Sequence, residues 1–206
     1  MKKLIDNDVH LLWHIYPTKE VAKKYKKDTK FKDITAELNS WESENIDEYI
    51  TSLTHLKLGN FLCENLLSHY EINNNKGSNF YLLLALQNNE IVGVIILNNN
   101  SQNITTDFKL DNNENNLRIE YIIVNPNKQN MGIGSRMIKS IINNQDTLSS
   151  NKPTNGIVSD IDNENIPSQH AFLKNHFKIV MPSSYLCRYF SRYYYTTRNP
   201  NRNNEL

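Results

Sequence analysis

The sequence has few of the residues that cross-link or punctuate small folds. It contains only two cysteines, Cys63 and Cys187, with six glycines and six prolines among 206 residues. The two cysteines lack the paired spacing of a zinc or redox site. The scarcity of glycine and proline excludes a collagen-like chain. We therefore expect two free thiols in a reducing compartment.

Long apolar segments are also missing. The longest apolar runs have about seven residues, far fewer than the roughly 20 that cross a bilayer. The chain begins like a signal peptide, but Asp6, Asp8 and His10 interrupt the apolar stretch that such a peptide needs. The sequence predicts a cytoplasmic protein without a membrane partner, although export by a non-classical secretion system stays open.

Neither sign of charge dominates. The chain has 23 basic and 22 acidic residues, so no overall field attracts nucleic acid. A basic run over residues 23–32 is typical of a solvated helix face. The aromatic and basic residues 188–195 could stack on RNA, but a C-terminal strand is the favoured interpretation. Nucleic acid is therefore a disfavoured partner.

Asparagine is abundant, with 33 copies, and the mean hydropathy is −0.62. Low apolar content indicates disorder when the net charge is high, but here the net charge is only +1. The apolar residues are clustered into runs, and most asparagines lie between those runs. We therefore expect a compact fold whose turns are rich in asparagine.

The apolar spacing divides the chain into a helical part and a strand-rich part. A period near 3.6 predicts helices within the first 75 residues, and Gly59 kinks or divides the longest of them. These helices cover residues 21–27, 31–38 and 46–67. From residue 80 the period shortens and predicts strands at 80–86, 91–97, 117–124, 156–161, 177–181 and 185–195, with helices at 131–144 and 167–175.

This order predicts an α/β (α+β) fold with a mixed sheet, antiparallel at first and parallel around the helix at 131–144. Residues 87–90 join the first two strands as a hairpin, and residues 98–116 form a polar loop. We assign residues 1–79 to a helical region, either part of the same domain or an extension. Residues 80–196 form the core, and residues 197–206 a frayed tail.

A strand, an Asn-Pro turn and a glycine-containing loop precede the helix at 131–144. The first amides of a helix lack intrahelical acceptors and carry a partial positive charge, and Gly132 and Gly134 let an anion approach the backbone. The dinucleotide fingerprint fails because residue 137 is Met, and the Walker loop fails because Ser135-Arg136 follows Gly134. A tight turn that binds nothing is the alternative.

The residues around the glycines favour binding. Val124-x-Pro126 followed by Gln129-x-x-Gly132-x-Gly134 resembles the signature of the GNAT superfamily of N-acetyltransferases. The resemblance extends over residues 80 to about 195, and the segment 165–168 with its helix falls in the family's order. Residues 1–75 show no residue-level resemblance.

The resemblance implies a GNAT fold with acetyl-CoA as cosubstrate and no metal. It places the pyrophosphate on the amides of seven loop residues, and the pantetheine arm along a bulged strand whose backbone is free. The residues implied for the pyrophosphate are Gln129, Asn130, Met131, Gly132, Ile133, Gly134 and Ser135; those for the arm are Ile122, Ile123 and Val124. Asn165 matches a family position that contacts CoA, and a helix cap is its alternative role.

Acetyl transfer to an amine also needs groups that handle protons. The resemblance implies that Glu120 is the general base, and strand alternation predicts that Ile119 and Tyr121 point to the opposite face. The alternative for Glu120 is an ion pair with Arg118 or a cross-strand lysine.

The family's usual acid is a tyrosine whose position here holds Phe172. Another donor could serve, and Tyr185 is our candidate, with His170 and Ser168 as others. Alternatively the thiolate leaves without an acid, or the domain only binds acyl-CoA.

The expectation is thus an N-acetyltransferase that moves the acetyl group of acetyl-CoA to a primary amine. The acceptor, a small molecule or a protein, is expected to enter between the N-terminal helices and the strand that carries Glu120. The alternative is an inactive acyl-CoA-binding module of the same fold. A homodimer is compatible with either function.

Overall fold

A seven-stranded mixed sheet organises the structure, a computed structural model that describes residues 11–41, 56–72, 80–99, 116–149, 154–181 and 190–196. The elements in chain order are β1 (Leu12–Pro17), α1 (Thr18–Lys24), α2 (Thr29–Asn39), α3 (Leu58–Ile72), β2 (Phe80–Gln87), β3 (Glu90–Asn98), β4 (Asn116–Val124), a 3₁₀ turn (Pro126–Lys128), α4 (Ile133–Asn143), α5 (Gln145–Leu148), β5 (Gly156–Asp162), α6 (Ile166–Lys174), β6 (Lys178–Met181) and β7 (Phe190–Thr196). The strand order is β1-β2-β3-β4-β5-β7-β6, and only β4 and β5 pair in parallel. The expected α/β class with a mixed sheet is confirmed.

The first strand was not predicted, because the whole N-terminal region was expected to be helical. Residues 12–17 instead pair antiparallel with β2 and extend the sheet. Trp13 is 1% exposed whereas its neighbour Leu12 is 49% exposed, which is the alternation of a strand with one buried face. Pro17 then ends the strand, since it lacks an amide proton for a further ladder bond.

Two helices of the N-terminal region lie close to their predicted positions, but α3 begins at Leu58, after the non-helical residues 56 and 57, and ends at Ile72 instead of residue 67. Asp28 caps α2 by accepting a hydrogen bond from the Phe31 amide at 3.0 Å. The helix α1 starts and ends three residues earlier than expected, and Lys26 adopts a left-handed φ of 64° just after it. Gly59 lies in the first turn of α3, where a Cβ would come 2.5 Å from the Thr35 carbonyl oxygen of α2, so it permits close helix packing.

The β2–β3 hairpin shows how asparagine is used in turns. Asn88 and Asn89 both have positive φ, 52° and 67°. A two-residue hairpin loop of this kind needs left-handed backbone at both positions, which Asn tolerates better than other non-glycine residues. The predicted turn over residues 87–90 is confirmed.

The sheet has an apolar layer on each face. The helices α4 and α6 cover one face, with a buried cluster that includes Ile119, Met137 and Phe172. The helices α1, α2 and α3 cover the other face, with Phe31, Leu62 and several residues of β2 and β3. None of the described helices is long and apolar enough to cross a membrane.

Cys63 is a free thiol on α3, as expected, and lies in the second of these layers. Burial raises its pKa to about 12. Several expectations fall outside the described residues: Cys187, the start of the helix expected from residue 46, most of the polar loop at 98–116, and the tail from residue 197.

Candidate functional site

The sheet opens into a fork where β4 and β5 part. The two strands pair only over three residues each, ending at Arg118 opposite Val158. Just beyond that pair, the Ser159 hydroxyl donates a hydrogen bond to the Ile119 carbonyl oxygen at 3.0 Å. The remainder of β4 is paired with β3 alone, so its other backbone edge faces the open fork.

The backbone along the fork includes groups that can bind a ligand. The Asn125 amide bonds to the Val92 carbonyl oxygen at 3.0 Å, and antiparallel pairing alternates hydrogen-bonded residues along a strand. Ile122 and Val124 therefore direct their backbone groups into the fork, while Ile123 directs its own toward β3. The Gln129 side-chain amide reaches the Val124 carbonyl oxygen at 3.5 Å, which is a marginal contact.

The glycine loop lies at the mouth of the fork and begins α4. Asn130 has φ of 61° and Gly132, the N-cap, has φ of 74°. No side chain caps this helix, so the first-turn amides of Ile133, Gly134 and Ser135 are left for an external acceptor. Met131 is 59% exposed, which leaves the loop open to solvent and to a ligand.

Two side chains near this loop were not predicted from the sequence. Arg136 lies one turn into α4, its buried Nε has no partner within the described residues, and helical side chains lean toward the N-terminus. The Asn175 side-chain amide donates to the Ser135 carbonyl oxygen at 3.0 Å and to its hydroxyl oxygen at 2.9 Å. Asn175 thereby ties the end of α6 to the first turn of α4.

Glu120 lies on a β-bulge of β4. Three residues from Ile119 to Tyr121 stand opposite two of β3. Strand alternation is interrupted there, so Ile119 packs under α4 and α6 while Tyr121 packs on Phe61 of α3 at 5.5 Å between ring centroids. The expectation that Ile119 and Tyr121 share a face is therefore wrong.

The Glu120 carboxylate takes part in a charged network on the face of the N-terminal helices. Arg118 Nε donates to Glu120 Oε2 at 2.9 Å, and the Asn98 amide reaches Oε1 at 3.3 Å. Arg118 also binds Asp160 at 2.8 Å, and Arg192 binds Asp160 at 2.7 Å. The ion pair that was the alternative role for Glu120 is present, and its role as a base stays a prediction.

Asp160 is the common acceptor of this network. Burial alone would raise its pKa, but the hydrogen bond from Arg192 and the charge of Arg118 outweigh burial and hold the pKa below its ordinary value. For Arg118, burial opposes the charge, but Glu120 and Asp160 more than compensate and raise its pKa. The network therefore stays charged and joins β4, β5 and β7 at the base of the fork.

The remaining predicted residues lie at α6 or outside the described residues. Asn165 caps α6 by accepting from the Ser168 amide at 3.1 Å, so its alternative role is observed. Phe172 is 1% exposed and packs on Phe177 and Tyr193. Tyr185 lies outside the described residues, and its role as an acid stays a prediction.

The bonds of Asp160 to Arg118 and Arg192 and the Asn175 tie could not be read from the sequence, because they join residues 32 to 42 positions apart. The alternation of Asp160 with buried neighbours on β5 was the one available signal, since a carboxylate next to a buried strand needs a partner. Within the described residues, no cluster of three or more His, Cys, Asp or Glu side chains could hold a metal ion.

Comparisons with solved structures agree with this architecture. Aminoglycoside acetyltransferase AAC(6')-Ib in complex with coenzyme A is 11% identical, with 91% of this chain and 95% of that chain covered at a TM-score of 0.58. PH1933 from Pyrococcus horikoshii OT3 is 19% identical over 91% and 99%, at 0.51. N-acetyltransferase PseH from Campylobacter jejuni is 15% identical over 90% and 99%, at 0.50. At these identities the likeness shows the fold alone.

The sequence itself matches a family model but no curated protein. The model is that of the acetyltransferase (GNAT) family, and it matches residues 39–177. This match covers more than half of the chain and begins earlier than the resemblance found in the motifs, since it includes α3. The chain therefore belongs to the GNAT family of acetyltransferases.

Proposed function

We propose that the protein transfers the acetyl group of acetyl-CoA to a primary amine. The observation that carries this proposal is the open fork between β4 and β5, with an uncapped helix N-terminus at its mouth. A pantetheine arm is a chain of amides that can pair with the free backbone of Ile122 and Val124. The pyrophosphate at its other end matches the loop from Gln129 to Ser135.

Electrostatics at the loop support an anionic ligand. The helix dipole and the free first-turn amides of α4 favour negative charge. Arg136 adds a guanidinium in the first turn of α4, and its buried Nε has no acceptor within the described residues; guanidinium groups pair readily with phosphate. A Cβ at Gly132 would meet no atom within 4 Å, so the space in front of the loop is free for a phosphate.

The acceptor amine would approach from the opposite face, where Glu120 and Asp160 lie. A neutral amine attacks the thioester carbonyl, the C–N bond forms, and the C–S bond breaks with its electron pair going to sulfur. Glu120, directly or through water, accepts the proton that the amine loses. Asp160 is less suited to this role, because three hydrogen bonds from arginines occupy its carboxylate.

A matched pair of variants tests cofactor binding. Gly132→Asp and Gly132→Asn differ mainly in charge, both residues tolerate positive φ, and neither Cβ would clash. We expect calorimetry to show that Gly132→Asp abolishes acetyl-CoA binding while Gly132→Asn weakens it much less. Equal affinity of the Asp variant and the wild type would refute the phosphate loop.

The burial of Phe172 favours a second candidate function, an acyl-CoA-binding module without catalysis. Phe172 has no hydroxyl and lies in an aromatic cluster, 4.8 Å from Phe177 between ring centroids. Turnover of acetyl-CoA with a broad panel of amines separates the two functions. Tight CoA binding with no transfer to any amine would favour the binding module.

A further inference from the structure

A cavity of about 230 Å³ lies among the N-terminal helices. It is bordered by Tyr25 and Lys26 at the end of α1, by Lys32 and Asn39 of α2, and by Asn60 in the first turn of α3. Among the described residues that line it, none belongs to the glycine loop or to the fork. Acetyl transfer therefore leaves this cavity without a role.

The two asparagines of the cavity present donors to it, because their oxygen atoms are already engaged. The Asn60 backbone amide donates to Asn39 Oδ1 at 3.1 Å, and a backbone amide can only donate, so this contact fixes which way the Asn39 side chain is turned. The Tyr25 hydroxyl donates to Asn60 Oδ1 over a longer 3.4 Å. Both Nδ2 groups are left for a ligand, since neither has an acceptor within the described residues.

Positive charge in the cavity is only partly balanced. Two lysines line it, Lys26 and Lys32, and no acidic residue is among its described lining residues. Lys26 Nζ forms an ion pair with Glu64 at 2.9 Å, whereas Lys32 makes no ion pair or hydrogen bond within the part of the chain that the structure describes. The N-terminus of α3, where Asn60 lies, adds partial positive charge. A complementary ligand is therefore negatively charged and accepts hydrogen bonds.

We propose that this cavity binds a small oxyanion, the carboxylate or phosphate group of a small molecule. Lys32 supplies the charge, and Asn39 and Asn60 supply directional hydrogen bonds, which are stronger to a charged acceptor. The cavity is smaller than the roughly 300–1,000 Å³ of pockets that enclose a drug-sized ligand, so it fits an oxyanion and not a whole cofactor. Lys32 ends the basic run of residues 23–32, which acetyl transfer does not use.

The test uses the full chain carrying Gly132→Asp, so that the proposed phosphate loop does not compete for the added anion. Inorganic phosphate and citrate are titrated separately, and the side-chain amide signals of Asn39 are followed by NMR. Sodium chloride at equal ionic strength controls for screening. In this background Lys32→Gln is compared with Lys30→Gln, because both lysines are exposed on α2 and both changes remove one charge, but only Lys32 lines the cavity.

We expect saturable shifts of the Asn39 amide with at least one of the two anions, and the anion that saturates identifies phosphate or carboxylate as the ligand group. Lys32→Gln should raise the apparent Kd about three- to tenfold, and Lys30→Gln should change it by less than about twofold. Shifts that sodium chloride reproduces, or equal effects of the two lysine variants, would overturn the site.

A second variant tests the hydrogen bonds. Asn60→Asp keeps an oxygen for the Tyr25 hydroxyl and suits the first turn of a helix, so the fold should survive, as thermal unfolding would show. The change removes the Nδ2 donor and adds a negative charge, so we expect anion binding to be lost. Unchanged binding by a folded Asn60→Asp variant would also overturn the proposal. None of these results depends on acetyl-CoA, so they leave the proposed acetyl transfer to its own test.

Discussion

The charged network at the base of the fork should stabilise the protein through Asp160, and the size of this contribution can be predicted. Asp160→Asn removes the carboxylate that Arg118 and Arg192 share, while Arg118 keeps its ion pair with Glu120. Removing one partner of a fully buried ion pair costs about 3–5 kcal/mol. The three side chains retain 13–24% of their exposure, so water screens part of the loss. We therefore expect a cost of about 2–3 kcal/mol in the free energy of unfolding.

Urea unfolding with linear extrapolation measures this cost. Asp33→Asn is the matched control, because Asp33 is exposed on α2, and it should change stability by less than about 0.5 kcal/mol. A double variant with Arg192→Gln should cost less than the sum of the two single changes, since both single changes break the same ion pair. If Asp160→Asn costs no more than the Asp33 control, the network does not stabilise the fork.

The stability that the Asp160 carboxylate contributes should depend on pH, and the direction follows from its pKa shift. The folded pKa of Asp160 is lowered, so its contribution is complete above the unfolded value of about 3.9. It is lost as the pH falls through the folded pKa, because the unfolded chain then binds a proton that the folded protein excludes. The stability difference between wild type and Asp160→Asn should therefore be constant near neutral pH and shrink in acid. A difference that persists unchanged at the acid end would contradict this reasoning.

Two further predictions concern Glu120 and His176. Glu120→Gln should lower kcat by about a hundredfold while calorimetric affinity for CoA stays unchanged, as expected for a base; reduced stability with full turnover would leave the ion pair with Arg118 as its only role. His176 follows α6 with φ of 64° and is exposed, so His176→Gly should stabilise the protein by about 0.5–1 kcal/mol in thermal unfolding. Asn89→Gly, at a similar φ, should gain less because asparagine already tolerates this backbone.

Local signals in the sequence predicted the parts of the fold that depend on neighbouring residues. The hairpin at Asn88-Asn89 and the Asp28-capped helix α2 are examples, since each is decided within a few positions. The strand β1 was missed although buried Trp13 follows exposed Leu12. The strand is short and follows a polar N-terminus, so its two-residue alternation was not distinguished from the helical spacing of the residues that follow. Only its pairing with β2 makes it a strand.

The residues of the candidate site also divide into those that local sequence predicted and those that depend on the sheet. The loop around Gly132 was predicted because its residues are contiguous and its chemistry follows from a helix N-terminus. The bulge at Glu120 depends on the register between β4 and β3, and no run of residues in either strand encodes that register alone.

Because the chain has few glycines, the presence of glycine in this loop is more informative than the motif alone. Among the described residues, three of the five non-glycine residues with positive φ are asparagines, Asn88, Asn89 and Asn130, so this chain makes left-handed turns without glycine. The φ of 74° at Gly132 is close to these values and does not by itself require glycine. No protein atom lies within 4 Å of a Cβ built there, so protein packing does not require glycine either. The proposed approach of a phosphate to the backbone would account for glycine here, and the Asn and Asp variants at this position separate the effect of bulk from that of charge.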